Sequence, residues 1–207
     1  MTLAKRFSDE LEFIEVLKSK HARYINGVFV AKDSVAGDYV APGCAYGQIT
    51  ESGHDDEGKY GPVTRGEVDG VTNATDLIAL DDVTDLWNFQ VGDEVELLDS
   101  SGDVIAAHAD DDLTITGVNV DDEEITVENI VDAHDYSGAA FVQKADGSSK
   151  AVFICLNLVD VTHEDALVGG ITHGAVFANR LVNLDDTVKE ELIHIAFEEE
   201  KIQGGRA

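Results

Sequence analysis

Basic residues are scarce in this chain: 14 Lys and Arg stand against 42 Asp and Glu over 207 residues, a net charge of -28. Nucleic-acid backbones are gripped by clustered Lys and Arg, and anionic membranes attract the same side chains. The shortage therefore excludes nucleic acid and membrane as partners of the protein as a whole. Long apolar runs are missing too. No stretch approaches the roughly 20 residues that cross a bilayer, and no basic head followed by an apolar signal core opens the sequence, so a chain made and kept soluble is expected. Only two cysteines occur, Cys44 and Cys155, far apart and outside any CxxC. They read as small buried hydrophobes, with a bridge between them left open.

The common signatures of chemistry are also wanting. His163-Glu164 begins a zincin-like HExxH, but Leu167 occupies the second ligand position, and His173 lies beyond two glycines that fix no common face. No GxSxG, GxxxxGK[ST] or GxGxxG occurs, and the GSS at Gly147 to Ser149 falls in a turn between a strand ending near Lys144 and one starting at Ala151. The acidic clusters at 110–112 and 121–124 lack the alternating ligands and central glycine of a calcium loop, so they read as solvated turns. No catalytic residue, cofactor or metal is expected, and the chain is read as not an enzyme.

What remains is a folded, β-rich chain. Its hydrophobic fraction of 43% argues against disorder, and its length allows one good core or two small ones. The first residues differ from the rest. Lys5, Arg6, Lys18, Lys20 and Arg23 nearly balance Asp9, Glu10, Glu12 and Glu15, and Ser8 can cap a helix whose Leu11, Ile14 and Leu17 form one stripe. Residues 1–25 are thus expected to form an arm. Short strands follow, with Gly, Asp and Pro punctuation. In VGDEVELLDSSGDVI, Val95 and Leu97 share one pleated face, Ser100 to Asp103 turn, and Val104 and Ile105 return. In LTITGVNV the apolar parity switches at Gly117, from Leu113 and Ile115 to Val118 and Val120, the mark of a β-bulge that curls a sheet toward closure.

These features predict a mainly β fold with minor α. Four to five curled strands point to a small acidic barrel of the OB or SH3-like kind, and a second β region follows Asp135. A C-terminal helix is expected from the Thr187/Glu190 capping box, with Val188, Leu192 and Ile195 on its buried stripe and Gly204 and Gly205 ending it. Between Val91 and Val131 there is no Phe, Tyr, Trp, Lys or Arg, so the barrel lacks the aromatic and basic residues of a single-strand binder. Its like charges are tolerable where molar salt shrinks the Debye length to about 3 Å. The excess of aspartate and the few lysines resemble proteins of haloarchaea and their viruses.

Two segments flanking the barrel resemble parts of one family, the tailed-phage head decoration proteins to which the lambda head decoration protein belongs. PGCAYGQITESGHDDEGKY is similar to the early strand and turn of that family, on Pro42, Gly43 and Gly47. GAAFVQKADGSSKAVFICLNLVDVTHEDALVGGITHGAVFANRLV is similar to its later part, on Gly147, Ala151, Ile154, Val159 to Val161, Gly174 and Val176. The resemblance implies a split β-rich decoration domain, 26–60 plus 135–207, into which the barrel over 61–134 is inserted. It implies a virion protein on the capsid exterior, made in the host cytoplasm, that binds the major capsid protein, trimerises and strengthens the head. It implies a capsid-binding arm, here Lys5, Arg6, Phe7, Leu11, Ile14 and Lys18. Trimer contacts are expected from the apolar Phe153, Leu156, Phe177 and Leu181. The competing expectation is a turret or host-recognition module whose barrel binds glycan or surface-layer protein.

Overall fold

The computed structural model describes residues 17, 22–72, 76–105, 113–128, 136 and 138–199. Among the described residues the first strands are β1 (Arg23–Val30), β2 (Tyr39–Val40), β3 (Ala45–Gln48) and β4 (Tyr60–Pro62). The chain then builds β5 (Arg65–Thr72), β6 (Leu77–Leu80), β7 (Glu94–Leu98), β8 (Leu113–Asn119), β9 (Glu124–Val127) and β10 (Phe141–Lys144). Strands β11 (Ala151–Cys155), β12 (Val159–Asp160) and β13 (Ala166–Phe177), the short helix α1 (Asp186–Glu191) and strand β14 (Ile195–Glu198) complete it. The protein is mainly β with minor α, as its sequence predicts.

Strands β5 to β10 close into a barrel in the order β10-β5-β6-β9-β8-β7. Alternation fills its interior: Val95 and Leu97 of β7, Leu113 and Ile115 of β8, Ile125 and Val127 of β9, and Val142 of β10 are all buried in one cluster. The bulge sits where the parity switches. Ile115 pairs with Val127 but Gly117 pairs with Thr126, leaving Thr116 as the extra residue; Val118 then packs on the core, while Val120 is exposed in the turn. After β7, the Asp99 carboxylate accepts from the N–H groups of Ser101 and Asp103 at 2.8 and 3.0 Å, and Gly102 takes φ +83°. On the return Val104 bridges to Leu98 and the Ile105 N–H donates to the Leu97 carbonyl at 3.1 Å, while β10 pairs along the other edge of β7. The expected boundary therefore moves: Phe141–Lys144, assigned to the later segment, closes the barrel, whereas Gly61 and Pro62, assigned to the insert, lie on β4 in the sheet.

The remaining long strands form a six-stranded sheet, β1-β4-β3-β11-β13-β14, and an added β1–β13 pairing folds it back on itself. One face buries Tyr46, Phe153, Cys44, Cys155, Val30 and Val168; the other buries Ala45, Ile154, Ile171, Val176, Val188 and Ile195. Phe153 stacks on Tyr46 at 5.6 Å and meets the edge of Tyr60 at 5.4 Å. A Cβ on Gly170 would overlap the Phe153 ring, so only glycine lets that ring lie across the sheet. Both cysteines are buried and free, and burial pushes the Cys155 thiol up to about 11.

The C-terminal helix is shorter than its expected span. Asp185, not Thr187, is the cap, its carboxylate accepting from the Val188 N–H at 2.6 Å, and the helix ends at Glu191. Val188, Leu192 and Ile195 are all buried, but Ile195 lies on β14, which pairs parallel to β13 from Gly174↔Ile195 to Phe177↔Glu198. An open edge on β13 captures the alternating IAFE segment that a helix would otherwise have used. At the other end, Arg23 to Ile25, assigned to the arm, already belong to β1, and Leu17 bridges to Val176. Lys5, Arg6, Phe7, Leu11, Ile14 and Lys18 lie outside the described residues.

Candidate functional site

The barrel is seated on the sheet by a polar seam built around Asn88. Its backbone has φ +66°, a left-handed conformation that asparagine tolerates better than most residues. Its side chain is buried and fully used: Oδ1 accepts from the Ala36 N–H at 2.6 Å, and Nδ2 donates to the Ser34 carbonyl at 2.9 Å and to Thr64 Oγ1 at 3.0 Å. Lys144 Nζ reaches the same Ser34 carbonyl at 3.3 Å and pairs with Asp93 at 3.0 Å, the two side chains being 3% and 14% exposed. Burial holds the Asp93 carboxyl above its ordinary range, with Lys144 pulling against that shift.

Beside the seam lies a polar cleft of about 620 Å³ between the barrel and the α1 end of the sheet. Arg65 forms its floor, its side chain only 9% exposed, donating to Gln143 Oε1 at 2.9 and 3.1 Å and facing Asp185 at 3.4 Å. Gln143 Nε2 passes the network on to Glu96 at 2.6 Å. Across the cleft, Glu191 accepts from the Ala151 N–H at 2.6 Å, and its half-buried carboxyl is raised by desolvation. Donors and acceptors alternate here, and among the described residues no three His, Cys, Asp or Glu converge as metal ligands.

The outer surface carries the second feature. Phe29 on β1 and Leu167 on β13 face each other in register and are 54% and 58% exposed. Sequence reasoning missed this pair, although parity could have found it: Phe29 precedes the fully buried Val30, and Leu167 lies between the buried Ala166 and Val168.

Of the residues expected to make trimer contacts, Phe153 is a core residue, wholly buried between two tyrosines and unable to reach another subunit. Leu156 and Leu181 are half-buried against the α1-side core, and Leu181 also lines a second cleft with Trp87 and Leu184. Phe177 is half-buried, with the Arg180 guanidinium 4.7 Å above its ring. Phe29 and Leu167, unlike Phe153, present exposed apolar surface in register on neighbouring strands; Ile193 and Val91 are also exposed. Set against known protein families, characterised proteins and solved structures, the chain matches none of them.

Proposed function

We propose that the protein is a capsid decoration protein of a haloarchaeal tailed virus, binding the outer surface of the head as a trimer and stabilising the shell. One observation carries this reading. The two segments that resemble decoration proteins, separated in sequence by the barrel, are direct neighbours in the fold: Ala151 pairs with Gly47, Phe153 with Tyr46 and Ile154 with Ala45. The Gly147 turn lies on Gly47, where a Cβ would strike the carbonyls of Ser148 and Lys150, and the Thr50 N–H donates to Asp146 at 2.9 Å. Glycines that look like loose motif matches in sequence thus share one physical purpose, the close approach of two halves of a single domain.

In this reading Phe29 and Leu167, with the half-buried Phe177 and Leu181, supply subunit contacts, and the segment containing Lys5, Arg6 and Phe7 supplies the capsid contact. Stabilisation follows from mass action, with modest contacts repeated over the lattice favouring the assembled shell over its free parts. Mixing the purified protein with undecorated capsids in molar salt and sedimenting the particles tests the proposal. Saturable binding that disappears when residues 1–16 are removed is expected; absence of bound protein overturns it.

The polar cleft favours a second reading, a virion module that recognises host-surface glycan. Clefts between units are common ligand sites, and Arg65, Gln143 and Glu96 offer the mixed planar donors and acceptors that hydroxyl groups need. Retention of the protein on host cells, lost on Arg65→Ala, would support that reading over the first.

A further inference from the structure

The pairing of β13 with β14 places two imidazoles side by side on an exposed surface. Gly174 and Ile195 are register partners, so His173 and His194 are neighbours across the parallel ladder, and the Gly174 N–H donates to the His194 carbonyl at 3.1 Å. Their rings are 5.8 Å apart between centroids and tilted by 39°. Both residues are exposed.

We propose that His173 and His194 form a two-imidazole site for a borderline divalent transition ion of the Ni²⁺, Cu²⁺ or Zn²⁺ kind, completed by water. An ion about 2.0–2.1 Å from an imidazole nitrogen stands about 3.2 Å from the ring centroid, which sets two rings on one tetrahedral ion about 5.2 Å apart. The observed 5.8 Å lies within a small side-chain rotation of that value. The ligand type selects the ion. Imidazole nitrogen suits Zn, Cu and Ni, whereas Mg²⁺ and Ca²⁺ require oxygen ligands. Charge acts in both directions: the net charge of -28 draws cations toward the protein, while Arg23, the register partner of His173 on the other side, opposes them locally. Binding therefore depends on the nitrogen lone pairs rather than on acidity alone. Its structural consequence is a clamp joining the last described strand to β13, independent of any role on a capsid.

The test is a calorimetric titration of untagged full-length protein with Ni²⁺ in chloride buffer, beside the variants His173→Asn, His194→Asn and His163→Asn. Loss of second-shell support alone weakens metal sites by about 10–100-fold, so removal of a ligand should weaken the tightest Ni²⁺ site by about tenfold or more. The expected result is that His173→Asn and His194→Asn each lose this site while His163→Asn keeps it. Ni²⁺ should also raise the thermal midpoint of the wild type and of His163→Asn but not of the other two, and Mg²⁺ should raise none of them selectively. Wild-type protein that takes up no Ni²⁺, or His173→Asn and His194→Asn proteins that bind it as tightly as wild type, overturns the proposal. Circular dichroism of each variant, expected to match wild type at these exposed positions, keeps folding separate from binding.

Discussion

The Lys144–Asp93 pair at the seam should respond asymmetrically to loss of its two members. At 3.0 Å and an effective dielectric constant of about 20, the gross attraction is about 5.5 kcal/mol, largely offset by the cost of taking both groups out of water. Asp93→Asn keeps an oxygen for the Gln90 N–H, which now donates to the carboxylate at 2.7 Å, but strands a lysine that is 3% exposed. A buried charge left without its partner costs about 3–5 kcal/mol. Lys144→Met leaves the charge on Asp93, which is 14% exposed and can recruit water or a proton, and leaves the Ser34 carbonyl its Asn88 donor; a loss of about 1–2 kcal/mol is expected. The pH dependence separates the two variants. Asp93 is an acid whose folded pKa is already raised, and loss of Lys144 raises it further, so the destabilisation is fully present above the folded pKa. It is relieved as pH falls toward the unfolded value of about 3.9. Urea unfolding followed through Trp87, the single tryptophan and the residue next to Asn88, measures both variants and the double mutant at fixed salt. If Asp93→Asn falls within about 0.5 kcal/mol of wild type, or the two changes add without coupling, water reaches the seam and the reasoning fails.

Further tests address other levels of the structure. Gly47→Ala must displace the Ser148 and Lys150 carbonyls and should cost about 3 kcal/mol in urea unfolding; a cost below about 0.5 kcal/mol would mean the turn moves freely. Phe29→Ser with Leu167→Ser should leave the unfolding midpoint of the monomer nearly unchanged while reducing self-association in light scattering, and unaltered association would remove these residues from the interface. Lys59 lies 2.7 Å from Asp165 and holds its carboxyl below the ordinary range, so this pair stabilises the fold above about pH 3.9 and the contribution is lost as pH falls through the lowered folded value. Asp165→Asn should therefore flatten the acid limb of the stability curve. Raising KCl from dilute to molar should raise the wild-type urea midpoint, since the net charge of -28 is then screened within about 3 Å; a midpoint independent of salt would refute the link between acidity and brine.

The barrel was legible where its information is local. Alternation at Val95 and Leu97 and the parity switch at Gly117 state directly which residues face inward and where the strand bends. The closing strand was not legible in the same way. Nothing in the FVQK of β10 says that its two edges will meet β5 and β7 rather than the sheet, because strand membership depends on partners 47 and 78 residues away, as the Gln143 bonds to Glu96 and Arg65 illustrate. The place of Phe153 is hidden for a related reason: AVFICL is an unbroken apolar run whose parity conceals which face is covered, and only the stack on Tyr46 decides it. The C-terminal element failed at the cap. The capping box at Thr187 was a sound local signal, but Asp185 starts the helix earlier and the vacant edge of β13 ends it sooner. The polar seam left the faintest trace, since Asn88, Thr64 and Ser34 become informative only once three distant segments converge on them.

That seam also explains how so acidic a chain can hold two units in one orientation. An apolar contact between barrel and sheet would tolerate sliding, whereas Asn88 and Lys144 converge on the single Ser34 carbonyl and accept only one arrangement. Arg65 acts alongside, bonded to Gln143 of the barrel and facing Asp185 at the helix cap. Two of the 14 basic residues thus lie nearly buried at the join, where counter-ions reach them least. Screening separates the two roles of charge. Exposed carboxylates repel one another until salt mutes them, while the buried pairs keep most of their strength at any salt. Salt should therefore govern whether the protein is folded, and the seam how the folded barrel stands on the sheet. Urea midpoints should move with KCl while the loss from Asp93→Asn stays nearly constant.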